Sequence, residues 1–117
     1  MNIIDLGLVM HEIDTEWSSA EKQAAQEAFN RAYNREISAL LQAVRAQAST
    51  ISELDDLWRL HDFLSARRHE LDGKYDYRYS VLLFVFAGLV KDGWLHLDEL
   101  ESLERAKIAK IAALSRM

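Results

Sequence analysis

A chain of 117 residues with no proline, and glycine only at positions 7, 73, 88 and 93, has almost nothing in it to break a helix. Where the backbone is so seldom interrupted, the spacing of apolar side chains decides the fold. Between Ser18 and Ala48, the residues Phe29, Tyr33, Ile37, Leu40, Val44 and Ala48 follow in steps of four, four, three, four and four, which is one face of a helix. Ser18 with Glu21 predicts a capping box at its start, and the many Ala and Gln residues favour helix by propensity. About 30 residues of helix span roughly 45 Å. That exceeds what a small core needs, and a long helix with a narrow apolar seam invites a partner helix.

Ala48-Ser49-Thr50 predicts a break, with Thr50 and Glu53 as a second capping box. The second helix is expected to end at Asp72-Gly73, and Asp76 to cap a third that ends at Asp92-Gly93. SVLLFVFAGLV inside the third has strand-forming residues, but no second strand signal exists to pair with it, so helix is predicted and it should be the most buried element. Asp98 with Glu101 is expected to cap a fourth helix carrying Leu100, Leu103, Lys107, Ile111 and Leu114. The chain thus reads as a single all-α domain over residues 1–117. Residues 1–17 form an N-terminal extension, 18–72 two long helices, and 76–116 a compact two-helix head.

The second helix carries the anomaly. Leu54, Leu57, His61, Leu64, Arg68 and Leu71 recur at alternating steps of three and four, yet two of the six are ionisable. An unpaired charge or polar group buried on such a stripe costs several kcal/mol, so something must compensate His61 and Arg68. Trp58, Asp62, Ser65 and His69 form a neighbouring strip, which places Trp58 and Asp62 beside His61. An aromatic and ionisable cluster suits an interface anchor. A second copy of the helix, bringing acids such as Asp62, would supply the missing partners in an isologous dimer. Taken singly, these residues also have ordinary readings: Trp58 as core, Asp62 paired with Arg59, Arg68 reaching past Leu64 to water, Phe84 as core and Lys110 on a solvated face.

The net charge of −5 lacks the basic footprint of a nucleic-acid binder, although Arg67, Arg68 and His69 make a local basic spot. No cysteine is present, so neither a disulfide framework nor a thiol nucleophile is expected, and a reducing cytoplasm fits. The apolar run Val81 to Val90 is about half the length of a membrane span, and the first residues lack the basic region of a secretory signal. His61 and His69 lie too far apart in sequence for a helical metal pair, and no phosphate loop or nucleophile elbow occurs, so neither metal, cofactor nor enzymatic activity is expected.

The stretches DLWRLHDFLSARRHELDGKYD and RYSVLLFVFAGLVKDG, with FNRAYNREISALLQAVRAQAS upstream, closely resemble the fluorescence recovery protein family of cyanobacteria. The likeness is close over residues 17 to 95 and loose over the last twenty. It implies an all-helical homodimer in which the two long helices pair antiparallel and each subunit carries a compact two-helix head. It also implies a pigment-free regulator that binds the photoactivated red form of orange carotenoid protein, chiefly through that protein's C-terminal domain. Such a regulator speeds return to the resting orange form and release from the phycobilisome, at the cytoplasmic face of the thylakoid. By position, the resemblance places the functional patch on Trp58, His61, Asp62 and Arg68, a dimer contact on Leu57, and head contacts on Phe84 and Lys110. With the seam residues, the expected dimer interface is Leu54, Leu57, Trp58, His61, Leu64 and Arg68. The alternative is a helical dimer of the same build with another partner, in a bacterium without the carotenoid protein.

Overall fold

The computed structural model describes residues 16–117; most of the expected N-terminal extension lies outside them. The described residues form four α-helices, α1 (Ser19–Ala48), α2 (Leu54–Lys74), α3 (Leu82–Lys91) and α4 (Arg105–Ser115), with a 3₁₀ turn at Leu97–Leu100 and no strand. The fold is elongated, 62 × 28 × 21 Å, because α1 runs well beyond the head that packs on its first half.

The start of α1 is as expected. Ser18 Oγ accepts the Glu21 N–H and Glu21 Oε1 accepts the Ser18 N–H, both at 3.1 Å. The expected cap at Thr50 does not form, because its hydroxyl donates to the Gln47 carbonyl at 2.8 Å and finishes α1 instead. Asp56 takes over that role, its Oδ2 accepting the N–H groups of Ser52 and Glu53 at 3.1 and 3.2 Å as α2 begins. Gly73 lies inside α2, and the helix ends at Tyr75, whose N–H still reaches the Leu71 carbonyl. At the second expected glycine stop the prediction holds: Gly93 has φ +85° and follows Asp92, the last cap of α3.

The third helix begins at Leu82, later than Asp76 predicts. Asp76 is held by Arg78, whose Nε donates to Oδ1 at 2.8 Å. Between them the chain is non-helical, and the alternate residues Tyr75, Tyr77 and Tyr79 bring their rings to α1. Tyr75 and Tyr77 meet Phe29 edge-on at 5.4 and 4.9 Å between centroids, and Tyr79 lies 5.4 Å from Trp17. Ring packing on α1 outweighs one more turn of helix. Likewise Asp98 caps no α-helix. The chain makes a 3₁₀ turn closed by the His96 N–H on Glu99, buries Leu100 and Leu103 as it crosses α1, and turns helical only at Arg105.

The core lies where α3, α4 and the loop between them meet α1. On α3, Leu82, Leu83, Phe86 and Leu89 are fully enclosed, each worth roughly 1.5–3 kcal/mol, as expected of the most apolar helix. On α1 the buried stripe is Glu21, Ala25, Ala28, Ala32 and Glu36, and its small alanines let the head approach closely. The expected seam of Phe29, Tyr33, Ile37, Leu40 and Val44 flanks that stripe and is only partly covered. No residue of α2 is buried.

Candidate partner-binding surfaces

Two stripes run along α2. One, through Leu60, Phe63, Arg67, Leu71 and Lys74, faces α1 and is half-covered; Leu71, expected on the seam, belongs here. The other holds Leu54, Leu57, Trp58, His61, Leu64 and Arg68 and lies open, with Leu54 64% and Trp58 54% exposed. Nothing else among the described residues covers it. Trp58 stands edge-on to His61 with ring centroids 6.3 Å apart, His61 Nδ1 is 3.3 Å from Asp62 Oδ1, and Arg68 Nε is 4.0 Å from Asp72 Oδ2. Asp62 therefore turns to His61, while Arg59 pairs with Asp56 at 3.3 Å. His61, Asp62, Arg68 and Asp72 are all surface-exposed, so these contacts contribute little to stability. His61, Leu64, Ser65 and Arg68 line a shallow cleft on this face.

Among the described residues, His61 and Arg68 thus meet only the exposed carboxylates of Asp62 and Asp72 and stay in solvent rather than buried. Lys107 shows the opposite solution. It too stands on an apolar helical spacing, between Leu103 and Ile111, and it is fully buried. Its Nζ donates to Glu21 Oε1 and Oε2 at 3.0 and 3.1 Å, binds the Glu16 carbonyl, and lies 4.2 Å from the centre of the Trp17 ring. Burial pushes the Glu21 carboxyl up, but the N–H groups of Glu104 and Ser18, together with Lys107, outweigh it and hold the carboxyl below its ordinary value. An ionisable group on an apolar stripe was the signal that could have found this pair in the sequence.

Two further polar clamps fix the head and the end of α2 on α1, and neither was singled out in the sequence because their members are far apart in the chain. Glu99 receives Arg35 in a fork at 2.7 and 2.8 Å and Arg31 at 3.2 Å, and Arg35 holds its carboxyl down at about 2. Buried Glu36 accepts the Tyr75 hydroxyl at 2.7 Å, Lys74 at 2.8 Å and Arg67 at 3.3 Å, while Lys74 also reaches Asp92 at 3.1 Å. Burial, then the Glu36 carboxylate, raises the Tyr75 phenol far above its usual range. The Glu36 cluster ties the C-terminal end of α2 to α1 and, through Lys74 and Asp92, to the end of α3.

On the head, Phe84 is 53% exposed and Lys110 Nζ sits 5.2 Å from the centre of its ring. The ordinary reading of Phe84 as core is thereby corrected: α3 buries its other faces and turns Phe84 outward. Trp58, His61, Asp62 and Arg68 are gathered on α2, and Phe84 and Lys110 are gathered on the head, as two separate surfaces.

A long helical arm with an open apolar and ionisable seam, clamped to a small head that bears its own exposed aromatic and cation, is the build of an all-helical protein that works by contacting other proteins. Residues 17–115 match the family described as photoprotection regulator fluorescence recovery protein, and the chain belongs to that family. It is 52% identical over 109 residues to the fluorescence recovery protein of Synechocystis sp. (strain ATCC 27184 / PCC 6803 / Kazusa), covering 93% of this chain and all of that one. The solved structure of the Fremyella diplosiphon fluorescence recovery protein superposes with a TM-score of 0.86 at 65% identity, covering 87% of this chain and all of that chain. That from Synechocystis sp. PCC 6803 gives 0.85 at 56% identity, with the same coverage. Among the described residues no helix is long and apolar enough to cross a membrane.

Proposed function

We propose that this photoprotection regulator is a homodimer closed along the open stripe of α2, and that it binds photoactivated orange carotenoid protein and speeds its return to the resting form. The observation that carries the reading is the contrast between two kinds of ionisable group on apolar stripes. Lys107 finds its counter-ion within the chain, whereas His61 and Arg68 are left in solvent beside Leu54, Leu57, Trp58 and Leu64. An antiparallel second copy of α2 covers the leucines, and one register brings Asp62 towards the opposing Arg68 and Asp72 towards the opposing His61.

Such a dimer needs no catalytic group to accelerate reversion. A protein that binds the closing arrangement of the two carotenoid-protein domains more tightly than the open one lowers the barrier between them. In this reading Trp58 and Phe84 are the apolar anchors and Arg68 and Lys110 steer encounter and orientation. Favouring the resting form also releases the carotenoid protein from the phycobilisome, which places the regulator at the cytoplasmic face of the thylakoid. The test is the dark reversion rate of red carotenoid protein, followed by absorbance with and without purified regulator. Faster reversion, in proportion to regulator added, is expected; an unchanged rate overturns the reading.

A further inference from the structure

The two partner surfaces stand on parts of the chain that are fastened very differently. The head surface belongs to α3, whose Leu82, Leu83, Phe86 and Leu89 are enclosed in the core, so Phe84 is carried by a closely packed body. Trp58, His61, Asp62 and Arg68 belong to α2, which buries no residue and packs on α1 through side chains that are only half-covered. An element with so little buried surface is the first to tilt or fray unless something pins it. Its last residue, Lys74, supplies the pin. The ammonium lies 2.8 Å from Glu36 Oε1 on α1 and 3.1 Å from Oδ2 of Asp92, the cap of α3, with the centres of the Tyr75 and Trp94 rings at 5.8 and 6.0 Å. Along the chain α2 and α3 are joined by the non-helical residues 75–81, and the Lys74–Asp92 contact ties the start of that span to the far end of α3. Among the described residues no other ion pair links α2 to α3 or its cap.

We propose that Lys74 is a positioning residue for partner binding, a strut that holds the Trp58 to Arg68 surface and the Phe84 surface at one fixed spacing so that both engage the same carotenoid protein at once. The inference rests on the partner reading above. Two contacts carried on one rigid body act together: once the first forms, the second is presented at high effective concentration, and slack between them lowers it. Because the proposed dimer closes through α2, fixing each head to its own α2 fixes it relative to the whole dimer. Lys74 suits the task, since its three donors can serve two carboxylates together and a cation is favoured at the C-terminal end of a helix. Of its two carboxylates, Glu36 also takes Arg67 and the Tyr75 hydroxyl, so α2 stays attached to α1 without the arm to Asp92. Asp92 is half-exposed and caps α3 through its backbone N–H, so that arm can be cut at little cost in stability.

The experiment titrates the full chain against photoactivated orange carotenoid protein as wild type, Asp92→Ala, Phe84→Ala and the double variant, with Tm and solution mass measured in parallel. Asp92→Ala cuts the arm to α3 and leaves the Glu36 clamp whole; it weakens the complex roughly three- to tenfold at unchanged mass. In the Phe84→Ala background one surface remains and there is no spacing to keep, so the same substitution changes nothing further. Lys74→Met weakens the complex at least as much as Asp92→Ala, and Lys74→Arg, which offers a fork to the two carboxylates, restores it. If wild type and Asp92→Ala bind equally well, the inference is overturned and the partner reading stands. A loss of the same size in both backgrounds means that the pair only keeps the fold intact, and the inference is likewise overturned. If wild type neither binds nor speeds reversion, the partner reading falls and takes this inference with it.

Discussion

Replacing Glu21 with alanine tests the logic that separates the two kinds of ionisable group on apolar stripes. In the native fold the Lys107 ammonium is fully enclosed, with Glu21 as its counter-ion at 3.0 Å and the Trp17 ring and Glu16 carbonyl as its other contacts. Glu21→Ala leaves that cation in the core without a carboxylate and removes the acceptor for the Glu104 and Ser18 N–H groups. Those two amides lie at helix ends that water reaches, so most of the loss belongs to the stranded cation. Breaking one side of a buried pair costs about 3–5 kcal/mol, a large part of the roughly 5–15 kcal/mol that holds a domain folded. Urea unfolding at pH 7, at matched protein concentration because association contributes to apparent stability, should show a midpoint lower by roughly 2 M with an unchanged slope. The double variant Glu21→Gln/Lys107→Met, which removes both charges and keeps the volume, should recover most of the loss. A Glu21→Ala variant destabilised by less than about 1 kcal/mol would refute the claim that the core depends on this pair.

Leu57→Glu places a carboxylate on the open stripe, where closure of the dimer would desolvate it at several kcal/mol, so the variant should run as a folded monomer by light scattering; a dimeric mass would move the interface elsewhere. Acid should loosen the head. Glu99 is held at about 2 against an ordinary 4.5, so its contribution is fully present above about 4.5 and is lost as pH falls from there towards 2. Because its arginine partners are nearly half exposed, that contribution is discounted to roughly 1–3 kcal/mol, and urea midpoints that stay flat from pH 6 to pH 3 would contradict it. Glu36→Gln keeps the shape of the clamp but leaves Arg67 and Lys74 without their buried carboxylate. It should weaken the dimer about tenfold or more by freeing the C-terminal end of α2, and an unchanged dimer dissociation constant would show that the clamp does not orient the stripe.

The helices were legible in the sequence because their spacing is local and almost nothing interrupts it. The Ser18 and Glu21 cap and the stop at Gly93 could be read for the same reason, each lying within one turn. What could not be read depends on the far side of the fold. Asp76 looks like a cap until Phe29 and Trp17 offer the tyrosines a packing surface, and Asp98 looks like another until the chain must cross α1 as a 3₁₀ turn. The α1 stripe that touches the head is alanine with Glu21 and Glu36, quieter in pattern than the larger residues beside it. The α2 patch was visible because charges on an apolar spacing are costly. Phe84 and Lys110 were reached only through family resemblance, since nothing local distinguishes an outward phenylalanine from a core one.

The most direct measurement is the mass of the wild-type protein in solution, by multi-angle light scattering at micromolar concentration. Two copies closed along the open stripe of α2 give twice the 13.5 kDa of one chain. A stable species of single-chain mass, with His61 and Arg68 left in water, would contradict the account.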